Sequence, residues 1–159
     1  MFKIEIVAVG KLSMEFLKEG EREYLKRIKP FYDISVAEIP EQQSLGSHSS
    51  DEKNVMEIEG ERILKYLSKK KYPVTALAVE GDQMSSEILA DVFNEAAHSS
   101  SGNIFVIGGS LGLSDRVKTR ADKLLSLSKM TFPHQLARII LLEQIYRAAT
   151  INAGITYHK

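Results

Sequence analysis

The sequence predicts an α/β domain in which a mainly parallel sheet carries helices on both faces. Short apolar runs alternate with amphipathic segments along all 159 residues, several of the strand-like runs stop at glycine, and no segment repeats. Ile4–Val9 is the first strand signal, closed by Gly10. Ser13 stands where it can cap a helix reaching about Ile28, with Leu17, Tyr24 and Ile28 on one face and Pro30 as its stop. Ile34–Ile39 alternates as a second strand before Pro40. The polar stretch Gln42–Asn54, with Ser44, Ser47, Ser49 and Ser50 around Gly46, reads as a mobile loop. A charged helix near Asp51–Leu67 follows, with Val55, Ile58, Arg62 and Tyr66 along one side. Gly60 inside it is worse than alanine by about 1 kcal/mol, and nothing in the sequence explains its presence.

Val74–Val79 is the third strand, ending at Glu80-Gly81-Asp82. Ser85 or Ser86 caps a helix to about Ala97, whose inner face is Ile88, Leu89, Val92 and Phe93. Ile104–Ile107 is the fourth strand, and Ser114-Asp115 opens a short basic helix with Arg116, Lys118, Arg120 and Lys123. Leu124–Leu127 is a short fifth strand. The last helix runs from Pro133, a residue suited to a first turn, to about Asn152, and ends at Gly154. It is apolar on more than one face, from Leu136 through Ile139, Leu142 and Ile145 to Ile151, so it is either a central core helix or half of a subunit interface. The interface is preferred, because a final helix in a small domain is rarely enclosed by its own chain. Glu143 and Arg147 have i,i+4 spacing for an ion pair.

Composition sets the limits. A 17.8 kDa chain with 43% hydrophobic residues fits one globular domain spanning 1–159. Without cysteine there is no thiol chemistry, disulfide or zinc–thiolate site. Charges interrupt the opening Met1-Phe2-Lys3-Ile4-Glu5-Ile6, unlike a signal peptide, and no apolar stretch approaches the roughly 20 residues that span a bilayer. A cytoplasmic protein without membrane contact is the expectation. Net charge is zero but unevenly spread: residues 1–102 hold 13 Lys and Arg against 18 Asp and Glu, and residues 103–159 hold 8 against 3. A polyanion would be drawn to the C-terminal part. The four histidines lie far apart on different elements, so no metal site is expected.

Chemistry concentrates in the last third. Ile104–Ile107 opens into Gly108-Gly109-Ser110-Leu111-Gly112, and Leu127-Ser128-Lys129-Met130-Thr131-Phe132 leads into Pro133-His134. Loops lacking Cβ atoms let main-chain groups approach a ligand closely, so two such loops suggest a ligand held mainly by backbone. Gly108–Gly112 also satisfies G-x-S-x-G, with Asp115 or Asp122 and then His134 or His158 in hydrolase order, but no second loop supplies an evident oxyanion hole. The G-x-G-x-x-G dinucleotide pattern and the Lys-Ser or Lys-Thr pair of a phosphate loop are missing. The terminal Tyr157-His158-Lys159 offers an aromatic, an imidazole and an ammonium where chain ends ordinarily fray.

These segments carry a resemblance. Ile107-Gly108-Gly109-Ser110-x-Gly112-Leu113, Leu127 to Gln135, Glu143-Gln144-x-Tyr146-Arg147-Ala148, the terminal Tyr157-His158-Lys159 and the opening Ile6 to Leu12 resemble the RlmH family, in order along essentially the whole chain. Leu111 departs from it, standing where relatives often carry a polar residue. The resemblance implies a small SPOUT-class methyltransferase, a homodimer in the bacterial cytoplasm, with a deep trefoil knot in its C-terminal part. It implies methylation of N3 of a pseudouridine in 23S ribosomal RNA from S-adenosylmethionine; because one protomer has little surface and no separate RNA-binding domain, an assembled ribosomal subunit is the expected substrate. By the same carry-over, Leu77, Gly108, Leu127, Ser128, Lys129, Met130, Thr131 and Phe132 bind the cofactor. His158 is the candidate base, and Arg116, Arg147, Tyr157 and Lys159 are expected to engage RNA. A non-catalytic ribosome-binding module and a serine hydrolase built on Ser110 are the competing readings.

Overall fold

A computed structural model describes the chain from residue 1 to residue 159 apart from Leu45, Ser47 and His158. Ten elements follow in order: β1 (Lys3–Val9), α1 (Glu15–Ile28), β2 (Asp33–Ile39), α2 (Ser49–Leu67), β3 (Val74–Asp82), α3 (Ser86–Ser99), β4 (Gly102–Ile107), α4 (Asp115–Arg120), β5 (Lys123–Leu125) and α5 (His134–Asn152). The strands form one parallel sheet in the order β2-β1-β4-β3-β5. Alternation along β1 divides the core. Ile4, Ile6 and Ala8 meet Ile28 of α1, Phe93 of α3 and Leu141, Leu142 and Ile145 of α5 on one face. Val7 and Val9 meet Ile63 and Leu67 of α2 and Val117 of α4 on the other. Apolar side chains of this size contribute about 1.5–3 kcal/mol each when fully buried, and both layers are built from them.

Several boundaries differ from the sequence reading. Helix α2 begins at Ser49, inside the stretch read as loop, since Asp51 and Glu52 suit a first turn. Its buried residues are Val55, Glu59, Gly60, Ile63 and Leu67, so Ile58 and Arg62 lie beside the inner face, while Tyr66 packs against the core from its margin. The charged Glu59 at a core position masked the true stripe. Ile88 likewise points outward from α3, whose core residues are Leu89, Ala90 and Phe93. Strand β3 continues to Asp82 through an irregularity in its pairing with β5, and β5 ends at Leu125. Ser13 does not cap α1; Met14 precedes the helix, and the Ser13 amide donates to Gln135 Oε1 at 2.8 Å. Ser85 and Ser114 do cap, accepting from the amides of Ile88 and Val117.

Helix α5 is enclosed in part by its own chain. Leu141, Leu142, Ile145 and Ala148 are fully buried between α1, α3 and the sheet. Seven of the nineteen α5 residues are buried, so the helix is core along one side, while Leu136 on another remains exposed. Arg138, also on α5, is buried. Its Nη1 pairs with Glu21 of α1 at 3.2 Å and Glu38 of β2 at 3.0 Å, and its Nη2 donates to the Gly10 carbonyl at 3.0 Å. One guanidinium thus ties α5 to α1, β2 and the turn after β1.

Gly60 now has an explanation. A Cβ there would overlap the Ser114 hydroxyl that caps α4 and lie 3.2 Å from Ser114 Cβ. Helices α2 and α4 touch through this missing side chain. Gly60→Ala should therefore lower the unfolding free energy by about 1–3 kcal/mol despite the better helix propensity of alanine. Urea denaturation measures this, and a stabilised variant would contradict it. Arg138→Ala, which strips the cation from two carboxylates, should lower stability by about 3 kcal/mol in the same measurement.

Candidate active site at the carboxyl ends of three strands

The sheet order places the carboxyl ends of β4, β3 and β5 side by side, where ligands sit in open α/β sheets. The chain leaves β4 through Gly108-Gly109-Ser110-Leu111-Gly112, and leaves β5 through 126–133 on the way to α5. Between these loops and the end of β3 lies a cavity of about 630 Å³, a size suited to a nucleoside-like ligand. Its walls come from residues 77–80, from the glycine loop, from the loop after β5, and from His134 and Ala137 at the start of α5.

Glycine makes this convergence possible at two points. A Cβ at Gly108 would stand 2.7 Å from the Gly112 carbonyl carbon, and one at Gly81 would stand 2.7 Å from the backbone of Leu124 and Leu125. Both distances are below any tolerated contact, so main chain meets main chain directly. Gly112 completes the loop with φ +85°, a left-handed conformation, and its amide donates to the Gly109 carbonyl at 3.0 Å. The other loop is held by hydroxyls: Ser126 Oγ donates to the Ser128 carbonyl at 3.0 Å, and Ser128 Oγ accepts from the Met130 amide at 3.0 Å. Helix α2 supports the glycine loop from behind. The buried Glu59 carboxylate accepts from the Gln42 amide at 3.0 Å and lies close behind Gly109, and burial raises its pKa.

Most cofactor candidates read from the sequence meet here. Leu77, Gly108, Leu127, Ser128, Met130, Thr131 and Phe132 all line the cavity, and Lys129 stands on the same loop, exposed and outside the wall. Sequence reasoning read Glu80 only as a strand end and Lys118 only as part of the basic helix suited to RNA backbone, whereas the two face each other across the rim at 2.5 Å. The strand end Glu80-Gly81-Asp82 was the available signal. His134 also lines the cavity, and burial, with Arg138 nearby, lowers its pKa and favours the neutral imidazole.

The candidates for RNA contact lie elsewhere. Arg116 is exposed on α4, 3.7 Å from Glu61. Arg147 pairs with Glu143 at 2.7 Å, as its spacing indicated, and its guanidinium lies 4.8 Å from the ring centroid of Tyr157. The Tyr157 hydroxyl donates to Glu143 Oε1 at 3.2 Å, and its ring meets Tyr146 edge-on at 4.9 Å. The tail is thus docked on α5 up to Tyr157. Lys159 is exposed, and His158 falls outside the described residues. Asp122, a hydrolase candidate, accepts from the Val74 amide at 2.7 Å, a structural role at the other end of the sheet. Among the described residues, no group of His, Asp and Glu side chains is arranged to hold a metal ion, and no helix is long and apolar enough to cross a membrane.

Comparison with known proteins agrees with this architecture. Residues 2–158 match the family model described as "Predicted SPOUT methyltransferase". A protein of Bifidobacterium animalis subsp. lactis named ribosomal RNA large subunit methyltransferase H is 51% identical, over 98% of this chain and 99% of its own. One of the same name from Streptococcus agalactiae serotype III is 45% identical over 99% of both chains. Among solved structures, a probable methylase family protein from Haemophilus influenzae aligns with a TM-score of 0.59 at 11% identity, covering 99% of this chain and 71% of that one. A probable methyltransferase from Bordetella pertussis gives 0.59 at 10% identity, covering 93% and 95%. Those two likenesses concern the fold. With the family match spanning nearly every residue and close relatives aligned end to end, the chain belongs to the SPOUT methyltransferase family.

Proposed function

We propose that the chain uses S-adenosylmethionine to methylate N3 of a pseudouridine in 23S ribosomal RNA, acting as a homodimer on the assembled large subunit or ribosome in the cytoplasm. One observation carries the reading: a nucleoside-sized cavity walled by the main chain of two loops, in a chain whose near full-length relatives are named ribosomal RNA large subunit methyltransferases. The cavity fits an adenosyl group in chemistry as well as size. Leu77, Ile107, Leu127 and Phe132 offer apolar surface for the base, and Gly108 and Met130 in the same walls are our candidates for reading its edge through main chain. The deep trefoil knot belongs to the same reading. It is supported by the two loops lining one cavity and by the backbone contact of Gly81 with Leu124 and Leu125.

S-adenosylmethionine, when bound, supplies a methyl group activated on a sulfonium. The residues of the chain then have to position the acceptor and remove its proton. N3–H of a uracil-type ring is weakly acidic, and a base within about 3 Å assists its loss. We assign that base to His158, directly after Tyr157, whose ring and hydroxyl are fixed on α5. Arg147 and Lys159 are suited to hold phosphate or an anionic ring. Among the described residues, Arg147, Tyr157 and Lys159 do not line the cavity of their own chain, which supports a tail that serves the site of a partner subunit. Exposed Met14, Phe16 and Leu136 near the start of α1 and α5 supply apolar surface for such a contact.

Labelled S-adenosylmethionine and ribosomes from a strain lacking this enzyme test the reading: label should appear on one 23S nucleotide, and an isolated stem-loop should remain unlabelled. A ribosome-binding module without activity would neither bind S-adenosylmethionine saturably nor transfer label, and a hydrolase would react at Ser110 with a fluorophosphonate probe. His158→Ala should slow single-turnover methylation by about 10²-fold or more, whereas an unchanged rate would rule out the base role. Arg116→Glu should weaken ribosome binding and reduce its salt dependence, and binding that keeps the wild-type salt slope would remove Arg116 from the interface.

A further inference from the structure

The described walls of the cavity carry two charged side chains, Glu80 and Lys118. His134 is held toward its neutral form by burial, and the other described lining residues offer peptide groups, hydroxyls and apolar surface. Adenine and ribose can be satisfied by such walls. An α-amino acid group cannot, because its ammonium and carboxylate each need a counter-charge or water. We propose that Glu80 and Lys118 form a clamp for the amino-acid end of the cofactor, Lys118 taking the α-carboxylate and Glu80 the α-ammonium. This rests on the reading of the cavity as the S-adenosylmethionine site.

The geometry suits the task. Glu80 follows the cavity residues Leu77, Ala78 and Val79 on β3 and precedes Gly81, whose backbone is pinned against Leu124 and Leu125. Lys118 stands one turn after Ser114, the cap that α2 holds through Gly60. Both side chains therefore project from fixed backbone to one rim. They pair with each other at 2.5 Å, with the Lys118 side chain 26% exposed and the Glu80 side chain 55% exposed. The hydrogen bond from Lys118 keeps the Glu80 carboxyl below the usual carboxylate range and so favours its carboxylate form. A pair this open to water is weak and readily separated. A zwitterion entering between the two replaces one ion pair with two, and each charge meets its opposite.

Calorimetric titration of the intact protein with three ligands tests the clamp: S-adenosylmethionine, its decarboxylated form, and 5′-methylthioadenosine, which lacks the amino-acid group. Lys118→Gln and Glu80→Gln should each weaken S-adenosylmethionine binding about tenfold, the effect of losing one charge-assisted contact, while methylthioadenosine stays within about twofold. The decarboxylated ligand should respond to Glu80→Gln and ignore Lys118→Gln, and Lys118→Arg should retain wild-type affinity. A merely structural ion pair would shift all three ligands alike, and that result, or unchanged S-adenosylmethionine affinity in both glutamine variants, would overturn the proposal. Wild-type protein that binds none of the three would overturn the cofactor reading beneath it.

Discussion

Main chain packed against main chain at the carboxyl edge of the sheet is the constraint on which the molecule turns. Gly108 lies against Gly112, and Gly81 against Leu124 and Leu125, with no room for a Cβ at either crossing. These approaches bring the exits of β3, β4 and β5 to one place and leave their peptide groups facing a shared cavity. Everything else in the fold holds that edge still. The α2 helix contributes a buried carboxylate behind Gly109 and a bare glycine beneath Ser114, so the glycine loop and α4 are supported from the same side. From the opposite layer, Arg138 fastens α5, which leads directly out of the second loop.

On the proposed reading, recognition is separated from chemistry. Peptide groups and apolar side chains suit the parts of a nucleoside that carry no charge, and they lose no side-chain entropy when a ligand arrives. Charged groups are kept at the rim and on the docked tail, where water screens them until a partner or substrate displaces it. The tail residue Tyr157, fixed through Glu143, Tyr146 and Arg147, gives the terminus a defined starting direction rather than a frayed end.

Much of this was legible in the residues. Alternating strand and helix patterns gave the layered α/β class, and the glycine run after Ile107 marked the candidate site because main chain without Cβ atoms can approach a ligand closely. The order of the strands was not legible, since each strand reads the same whichever neighbour it pairs with. The inner face of α2 was misjudged because Glu59 is a charged residue in a buried position, a choice that makes sense only beside Gln42 and Gly109. Gly60 was opaque for a related reason: its purpose is a contact with Ser114, more than fifty residues away. The apolarity of α5 suggested an external partner, and the topology accounts for part of it by burying one side of that helix within its own chain. The pairing of Glu80 with Lys118 escaped notice because two surface charges on different elements acquire a joint meaning only when folding sets them on one rim.

A crystal structure of the protein with S-adenosylhomocysteine bound is the most direct test of the central claim. The account requires the adenine between the peptide groups of Gly108–Gly112 and Leu127–Phe132, with a neighbouring subunit's terminus beside the ligand's sulfur. Density for the ligand at any other place, or a lone subunit whose two loops leave the base in solvent, would contradict it.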